Sequence, residues 1–263
     1  MKILILGGTQ EAYEAANYLH EQNHKVITAM AGATRTPKKP KGKFITGGFG
    51  GPSGLSTYLE TNDIDLLIDA THPFAAKMSS GAVISSEKSK VPLIRLLRKP
   101  FVEREGANWW RVDSIGQAAE IIPAGSAVFL TIGRKGLEPF FARSDLRFLI
   151  RSIEPVEFEL PENFSAIEQR PPFSVGEELE LMERESITHL VSKDSGGEQT
   201  SAKLEAAFML RVQVVMISRP PLPPAREVNS LDELKQALAQ FPGSGRRSRF
   251  LPWLRSIWAK SSS

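Results

Sequence analysis

Residues Met1-Lys2-Ile3-Leu4-Ile5-Leu6-Gly7-Gly8-Thr9-Gln10-Glu11-Ala12 open the chain and decide how the rest is read. Ile3 to Leu6 form a short continuous apolar run, the pattern of a strand covered on both faces. Gly7 and Gly8 let the backbone turn without a Cβ clash. Thr9 is placed to cap a helix whose first turn offers free N–H groups and the positive end of its dipole to an anion. A strand, a glycine turn and a helix in this order are how α/β proteins bind phosphate. The third glycine of G-x-G-x-x-G is missing, so these residues alone fit both a nucleotide site and a purely structural turn.

Outward from this stretch, apolar runs at 2–6, 25–29, 66–70 and 91–96 alternate with helical patterns at 10–21, 54–62 and 75–86. This βαβα series implies a parallel sheet with right-handed crossovers. The pattern restarts after Arg111, with helices at 114–122, 175–185, 199–210 and 231–240 and strands at 127–132, 148–153, 189–192 and 213–218. The expected fold is α/β: two Rossmann-like parallel-sheet domains, 1–112 and 113–243, with a cleft between them and a basic tail at 244–263. In such sheets ligands sit beyond the carboxyl ends of the strands, and a cleft would gather those loops.

Composition agrees with a globular enzyme. The 263 residues are 41% hydrophobic and 24% charged, and length favours two modest domains. The chain has no cysteine, which excludes disulfides, a thiolate nucleophile and a cysteine metal site. A formal charge of +3 is too small to argue for nucleic acid, though clustered Lys and Arg suit an acidic small molecule. A strand at residue 2 or 3 leaves no room for a signal peptide, and no apolar run is long enough to span a bilayer, so a cytoplasmic protein is expected. His20 and His24 have helical spacing, but helix 1 is expected to end between them, and no metal site is expected.

Three loops carry the candidate chemistry. After the second strand the chain reads Ala31-Gly32-Ala33-Thr34-Arg35-Thr36. It lacks the carboxylate that would bind an NAD ribose, and Arg35 is within reach of a 2′-phosphate; a solvated loop arginine is the competing reading. After the third strand comes Asp69-Ala70-Thr71-His72-Pro73-Phe74-Ala75, where Thr71 suits a helix cap and Pro73 a first helical turn. His72 then lies at a helix start in the cleft, able to donate to a carbonyl or phosphate or to deliver a proton, or else is incidental to a capped turn. In the second half, Ser192-Lys193-Asp194-Ser195-Gly196-Gly197 repeats the strand-glycine-helix logic, and its N–H groups can form an anion nest beside Lys193 and Ser195. It is not a Walker A loop.

Taken together and in order, these three segments, the last with Thr200, Lys203 and Leu204, closely resemble the precorrin-6A reductase family of cobalamin biosynthesis. The resemblance spans about residues 1–222. Val214-Val215-Met216-Ile217-Ser218-Arg219-Pro220 resembles the family's closing strand, and Arg95-Leu96-Leu97-Arg98-Lys99-Pro100 its Arg-rich loop, although Phe101 stands where the family usually has a tryptophan.

The resemblance implies NADPH-dependent reduction of a carbon–carbon double bond in precorrin-6A or its cobalt form, with NADH the less favoured reductant. The protein's part is then placement and exclusion of water, because the cofactor carries the chemistry. Candidate cofactor contacts are Gly7, Gly8, Thr9, Thr34, Arg35, Thr71, Lys193, Ser195, Gly196 and Gly197. Arg95, Arg98, Lys135 and Arg219 are candidate clamps for a tetrapyrrole polycarboxylate. His72 is the candidate proton donor or orienting group, with water or the substrate's own acidic groups as alternatives. A short-chain dehydrogenase is disfavoured because none of Tyr13, Tyr18 and Tyr58 has a lysine four residues on. A non-catalytic nucleotide sensor would leave the lysine-glycine loop of the second half unexplained.

Beyond the resemblance, Gly243-Ser244-Gly245 reads as a linker to Arg246-Arg247-Ser248-Arg249 and an apolar set that includes Trp253 and Trp258. A helix from Leu251 would bring Leu251, Leu254 and Trp258 to one side, a pattern for docking on a membrane surface or partner; a poorly ordered tail is the other reading.

Overall fold

The computed structural model describes residues 1–30, 39–197 and 200–241. In the first half, strands β1 (Lys2–Leu6), β2 (Lys25–Met30), β3 (Lys43–Thr46), β4 (Leu66–Asp69) and β5 (Leu93–Leu96) alternate with helices α1 (Gln10–Glu21), α2 (Pro52–Thr61) and α3 (Ala76–Ser89). The second half contains β6 (Trp109–Val112), α4 (Ile115–Ile121), β7 (Ala127–Leu130), α5 (Glu138–Phe141), β8 (Arg147–Ser152) and β9 (Phe164–Glu168). It continues with α6 (Val175–Arg184), β10 (His189–Lys193), α7 (Ala202–Met209) and β11 (Gln213–Ile217), before β12 (Arg226–Val228) and α8 (Leu231–Ala239) close the described chain.

The strands form two six-stranded sheets in the orders β12-β5-β4-β1-β2-β3 and β6-β11-β10-β7-β8-β9, parallel at every pairing. The fold is the expected pair of Rossmann-like layers. Each central strand is buried on both faces, which is why the sequence shows unbroken apolar runs there. In β1, Ile3 and Ile5 enter the core under α1 and α8, while Leu4 and Leu6 enter the one under α2 and α3. In the second sheet, Val128 and Leu130 face the α4–α5 side and Phe129 faces α6 and α7.

The expected boundary at Val112 is corrected by the pairings. β6 lies before that boundary yet pairs with β11 in the second sheet. β12 and α8 lie after it yet join the first domain: β12 pairs with β5, and Val228, Leu234 and Ala237 enter the core under α1. The chain therefore crosses between layers twice, and each crossing supplies a strand that covers what would be an open sheet edge. One further correction concerns α3. Thr71 does not cap it, because its hydroxyl donates to Asp69 Oδ1 at 2.7 Å, and the helix begins at Ala76 without a side-chain cap.

Candidate active site

The carboxyl ends of the two sheets face each other across a cavity of ≈ 600 Å³. The first wall is mostly backbone. Gly7 continues the β1 ladder, its N–H donating to the Ala29 carbonyl at 2.8 Å, and a Cβ there would come within 3.2 Å of Thr28 Cγ2. Gly8 adopts φ +126°, and nothing lies within 4 Å of where its Cβ would stand, so an incoming group can approach the main chain closely. Thr9 caps α1 as its sequence position predicts, accepting from Ala12 N–H at 3.1 Å, and its hydroxyl also donates to the Ala70 carbonyl at 2.9 Å. The turn is thus fixed to the end of β4.

The second wall is built from side chains beyond β7, β8 and β10. Thr131, Ile132, Gly133, Ser152 and Ile153 line it together with the cations Arg151, Lys193 and Lys203. Lys193 donates to the Ile132 carbonyl at 3.0 Å and lies over the Phe74 ring, so a second-domain lysine touches the His72 loop. Burial pushes the Lys193 pKa below the usual lysine range.

Two arginines fasten the walls together. Arg98 donates through Nε to the Ser195 carbonyl at 2.6 Å and through Nη1 to Glu11 at 3.0 Å, linking the first turn of α1 to the second-domain glycine loop. The pairing matters because Glu11 stands where an anion would meet the helix dipole, and Arg98 neutralises it. Arg219 donates to the carbonyls of Asp194, Arg98 and Ser195. Gly196 has φ +66°, and a Cβ there would overlap the Lys99 carbonyl, so glycine is required where the crossover packs on the loop. Phe101 N–H donates to Asp194 Oδ1 at 2.8 Å and its ring packs on the α6–α7 core.

Of the residues singled out from sequence, Gly8, Thr9, His72, Arg98, Lys193, Ser195 and Gly197 line the cavity. Gly7, Thr71 and Gly196 support it from behind. Arg95 is corrected outright. It is 1% exposed, does not line the cavity, and donates to Asp69 at 3.4 Å, Glu227 at 2.8 Å and the Pro223 carbonyl, joining β4, β5 and the returning β12, with Nη2 buried and without a hydrogen-bond partner. Arg219 is likewise consumed by main-chain carbonyls, and Lys135 is exposed away from the cavity. Thr34 and Arg35, like the tail at 244–263, lie outside the described residues.

His72 changes role. Its pKa is pushed down to about 4, first by burial and then by the positive charges of Arg98, Lys193, Arg219 and Lys203. The imidazole is therefore neutral at pH 7, which argues against an imidazolium proton donor. Nδ1 accepts from Phe74 N–H at 3.2 Å, which leaves the ring proton on Nε2 for an acceptor in the cleft.

Sequence reasoning gave no site role to Arg151, Phe173 or the Glu11–Arg98 pair, and it named Lys203 only among the residues that carry the family resemblance. Arg151 had a signal, a cation inside the apolar run Phe148-Leu149-Ile150, as Arg95 does inside Leu93-Ile94-Leu96. Lys203 had none as a buried group, because a lysine early in an amphipathic helix reads as a solvated one.

The family model described as Precorrin-6x reductase CbiJ/CobK matches residues 2–239. The precorrin-6A reductase of Rhodococcus erythropolis is 41% identical over 240 residues, covering 90% of this chain and 96% of its own. That of Rhodobacter capsulatus is 38% identical, covering 86% and 91%. The cobalt-precorrin-6A reductase of Synechocystis sp. is 25% identical, covering 89% and 94%. The solved structure of CobK precorrin-6A reductase superposes with a TM-score of 0.87 at 37% identity, covering 91% of this chain and 96% of its own. With a family match along nearly its whole described length and the same two-layer architecture, this chain belongs to the Precorrin-6x reductase CbiJ/CobK family.

Proposed function

We propose that the chain reduces a carbon–carbon double bond of precorrin-6A to the 6B form with NADPH, with the cofactor phosphates on the α1 wall and the macrocycle against the cationic wall. The observation that carries this reading is the cleft itself, in which an unobstructed glycine turn at a helix N-terminus faces three partly or wholly buried cations. The turn suits a pyrophosphate: Gly8 leaves the approach open, Thr9 holds α1 in place, and Arg98 cancels the charge of Glu11. When bound, the nicotinamide supplies a hydride, and the alkene needs one further proton to become CH–CH.

The chain's own residues orient and enclose. Neutral His72 offers its Nε2–H to a carbonyl or phosphate, Lys193 and Arg98 set the potential between the walls, and Gly197 lets the loop lie close to the ligand. Metal-free precorrin-6A is favoured over the cobalt form because relatives named for it share 36–41% identity, against 25–28% for those named for the cobalt compound. NADPH is favoured over NADH on the position of Arg35 after β2 and the missing ribose carboxylate there. The cytoplasm, which supplies reduced nicotinamide, is the compartment this reading requires.

Anaerobic oxidation of NADPH, followed by absorbance with precorrin-6A and separately with its cobalt complex, and with NADH in parallel, tests the proposal. Turnover with a changed tetrapyrrole spectrum, fastest for NADPH with metal-free substrate, is expected. An enzyme that binds NADPH and leaves both macrocycles untouched refutes it. Arg35→Ala should raise KM for NADPH about tenfold and leave that for NADH unchanged.

A further inference from the structure

Strand β4 ends on a carboxylate that is buried outside the cavity. Asp69 is 1% exposed and is not among the cavity-lining residues. Its Oδ2 faces Arg95 Nε at 3.4 Å, while Oδ1 accepts twice from Thr71, from the hydroxyl at 2.7 Å and from the main-chain N–H at 3.2 Å. With its proton given to Asp69, the Thr71 oxygen is left to accept from Ser79 Oγ, 3.3 Å away in the first turn of α3 and itself 3% exposed. One hydroxyl therefore ties the end of β4 to the start of α3.

Thr71 stands where a side chain could cap α3, yet the helix begins without a side-chain cap because the threonine is turned toward Asp69. A helix end left uncapped in favour of a turn marks a place where position outweighs local stability. The turn carries His72. The His72 carbonyl accepts from Ala75 N–H at 2.7 Å, Nδ1 accepts from Phe74 N–H at 3.2 Å, and the residue lines the cavity. The imidazole is thus held from within its own turn, and its aim is only as good as the turn's. Ala70 completes the frame: its N–H donates to the Leu6 carbonyl at 2.9 Å, and its carbonyl accepts from the Thr9 hydroxyl at 2.9 Å. Residues 69–72 are fastened to the glycine turn of the cofactor wall through Ala70 and to α3 through Thr71.

We propose that Asp69 and Thr71 are positioning residues, whose hydrogen bond fixes the 69–75 turn so that His72 presents Nε2–H to the bound ligand in register with the α1 turn. This rests on the reductase reading above, in which His72 is a hydrogen-bond donor. Neither positioning residue lines the cavity, so both act through His72.

The test compares Thr71→Val, which keeps the side-chain shape and removes the hydroxyl, with Thr71→Ser, which keeps the hydroxyl. In steady-state kinetics with precorrin-6A, Thr71→Val should lower kcat about tenfold and hold both KM values within about twofold, because a mis-aimed donor leaves the cavity open to both ligands. Thr71→Ser should stay within about threefold of wild type. His72→Asn should lower kcat about as much as Thr71→Val, and adding Thr71→Val to it should change kcat by less than about twofold, since nothing is left to position. Nitrogen NMR of the imidazoles gives a readout that needs no turnover. The chain has four histidines, and the His72 signals are assigned by their loss in His72→Asn. Above pH 7 the wild-type ring should be a single Nε2–H tautomer, and in Thr71→Val it should be mixed or exchange-broadened.

A wild-type kcat in folded Thr71→Val overturns the proposal, whether or not Tm falls. An unchanged His72 resonance in that variant does so too. Losses that add fully across Thr71→Val and His72→Asn detach Thr71 from His72 and also overturn it. Wild-type protein that leaves precorrin-6A untouched contradicts the reductase reading, while the His72 resonance in Thr71→Val still decides the positioning.

Discussion

The two sheets each bury an arginine on an interior strand, and the two clusters are charged in opposite senses. On β5, Arg95 faces two carboxylates, Asp69 and Glu227, and none of the three lines the cavity. On β8, Arg151 and Lys203 share the single carboxylate of Glu178, and both cations line the cavity. The first cluster pairs its cation with carboxylates of the fold and holds β12 to its sheet, with Arg95 Nη2 buried and without a hydrogen-bond partner. The second sets two cations beside one carboxylate at the cavity wall. Buried charge matched within the fold is architecture, whereas buried charge in excess at a cavity wall marks a place where the protein expects a partner.

The largest effect that could break this contrast is on stability. Arg95→Leu leaves Asp69 buried beside an apolar side chain, and unfolding in urea should show a loss of about 3–5 kcal/mol, with KM for both substrates unchanged in the folded fraction. A mild stability loss accompanied by a raised KM would place Arg95 in the site after all.

A smaller effect concerns His72, which is held neutral first by its burial and then by the positive charges of Arg98, Lys193, Arg219 and Lys203. Its folded pKa of about 4 lies below the ordinary 6.5, so between those values the unfolded chain binds a proton that the folded chain refuses. Stability therefore rises with pH from 4 to 6.5 and is lost as pH falls through that window, by up to about 3 kcal/mol. His72→Asn should flatten that part of the acid limb in pH-dependent melting, and the wild-type kcat profile should show no inflection near 6.5 from this residue. An inflection there that vanishes in the variant would restore the imidazolium as proton donor.

The smallest effect is expected from the tail. The described wall residues all lie before residue 244, so deleting 244–263 should keep kcat/KM within about twofold of wild type. A large fall would extend the site beyond the two sheets.

What the sequence revealed follows the same division between matched and unmatched burial. The central strands β1, β4, β7, β10 and β11 were legible because burial on both faces writes a continuous apolar run. The four strands that were missed, β3, β6, β9 and β12, are the four sheet edges, where one side is open and short polar-rich segments suffice. Missing β6 and β12 hid the exchange of strands between domains and so misplaced the boundary. In the site, backbone elements were readable, because glycines and a capping threonine announce a turn. Long side chains were not. Arg95, Arg98 and Arg219 look alike in sequence, and only the three-dimensional count of partners separates a guanidinium spent on the fold from one that faces the cleft.

The division of the cleft into a cofactor wall and a substrate wall is tested most directly by measuring both KM values in Gly8→Ala and in Lys203→Met. A methyl on Gly8 enters the open space over α1 and strains a left-handed backbone, so it should raise KM for NADPH about tenfold and leave KM for precorrin-6A unchanged. Lys203→Met should do the reverse. Two variants that raise the same KM, or each raise both, would contradict the assignment of the walls.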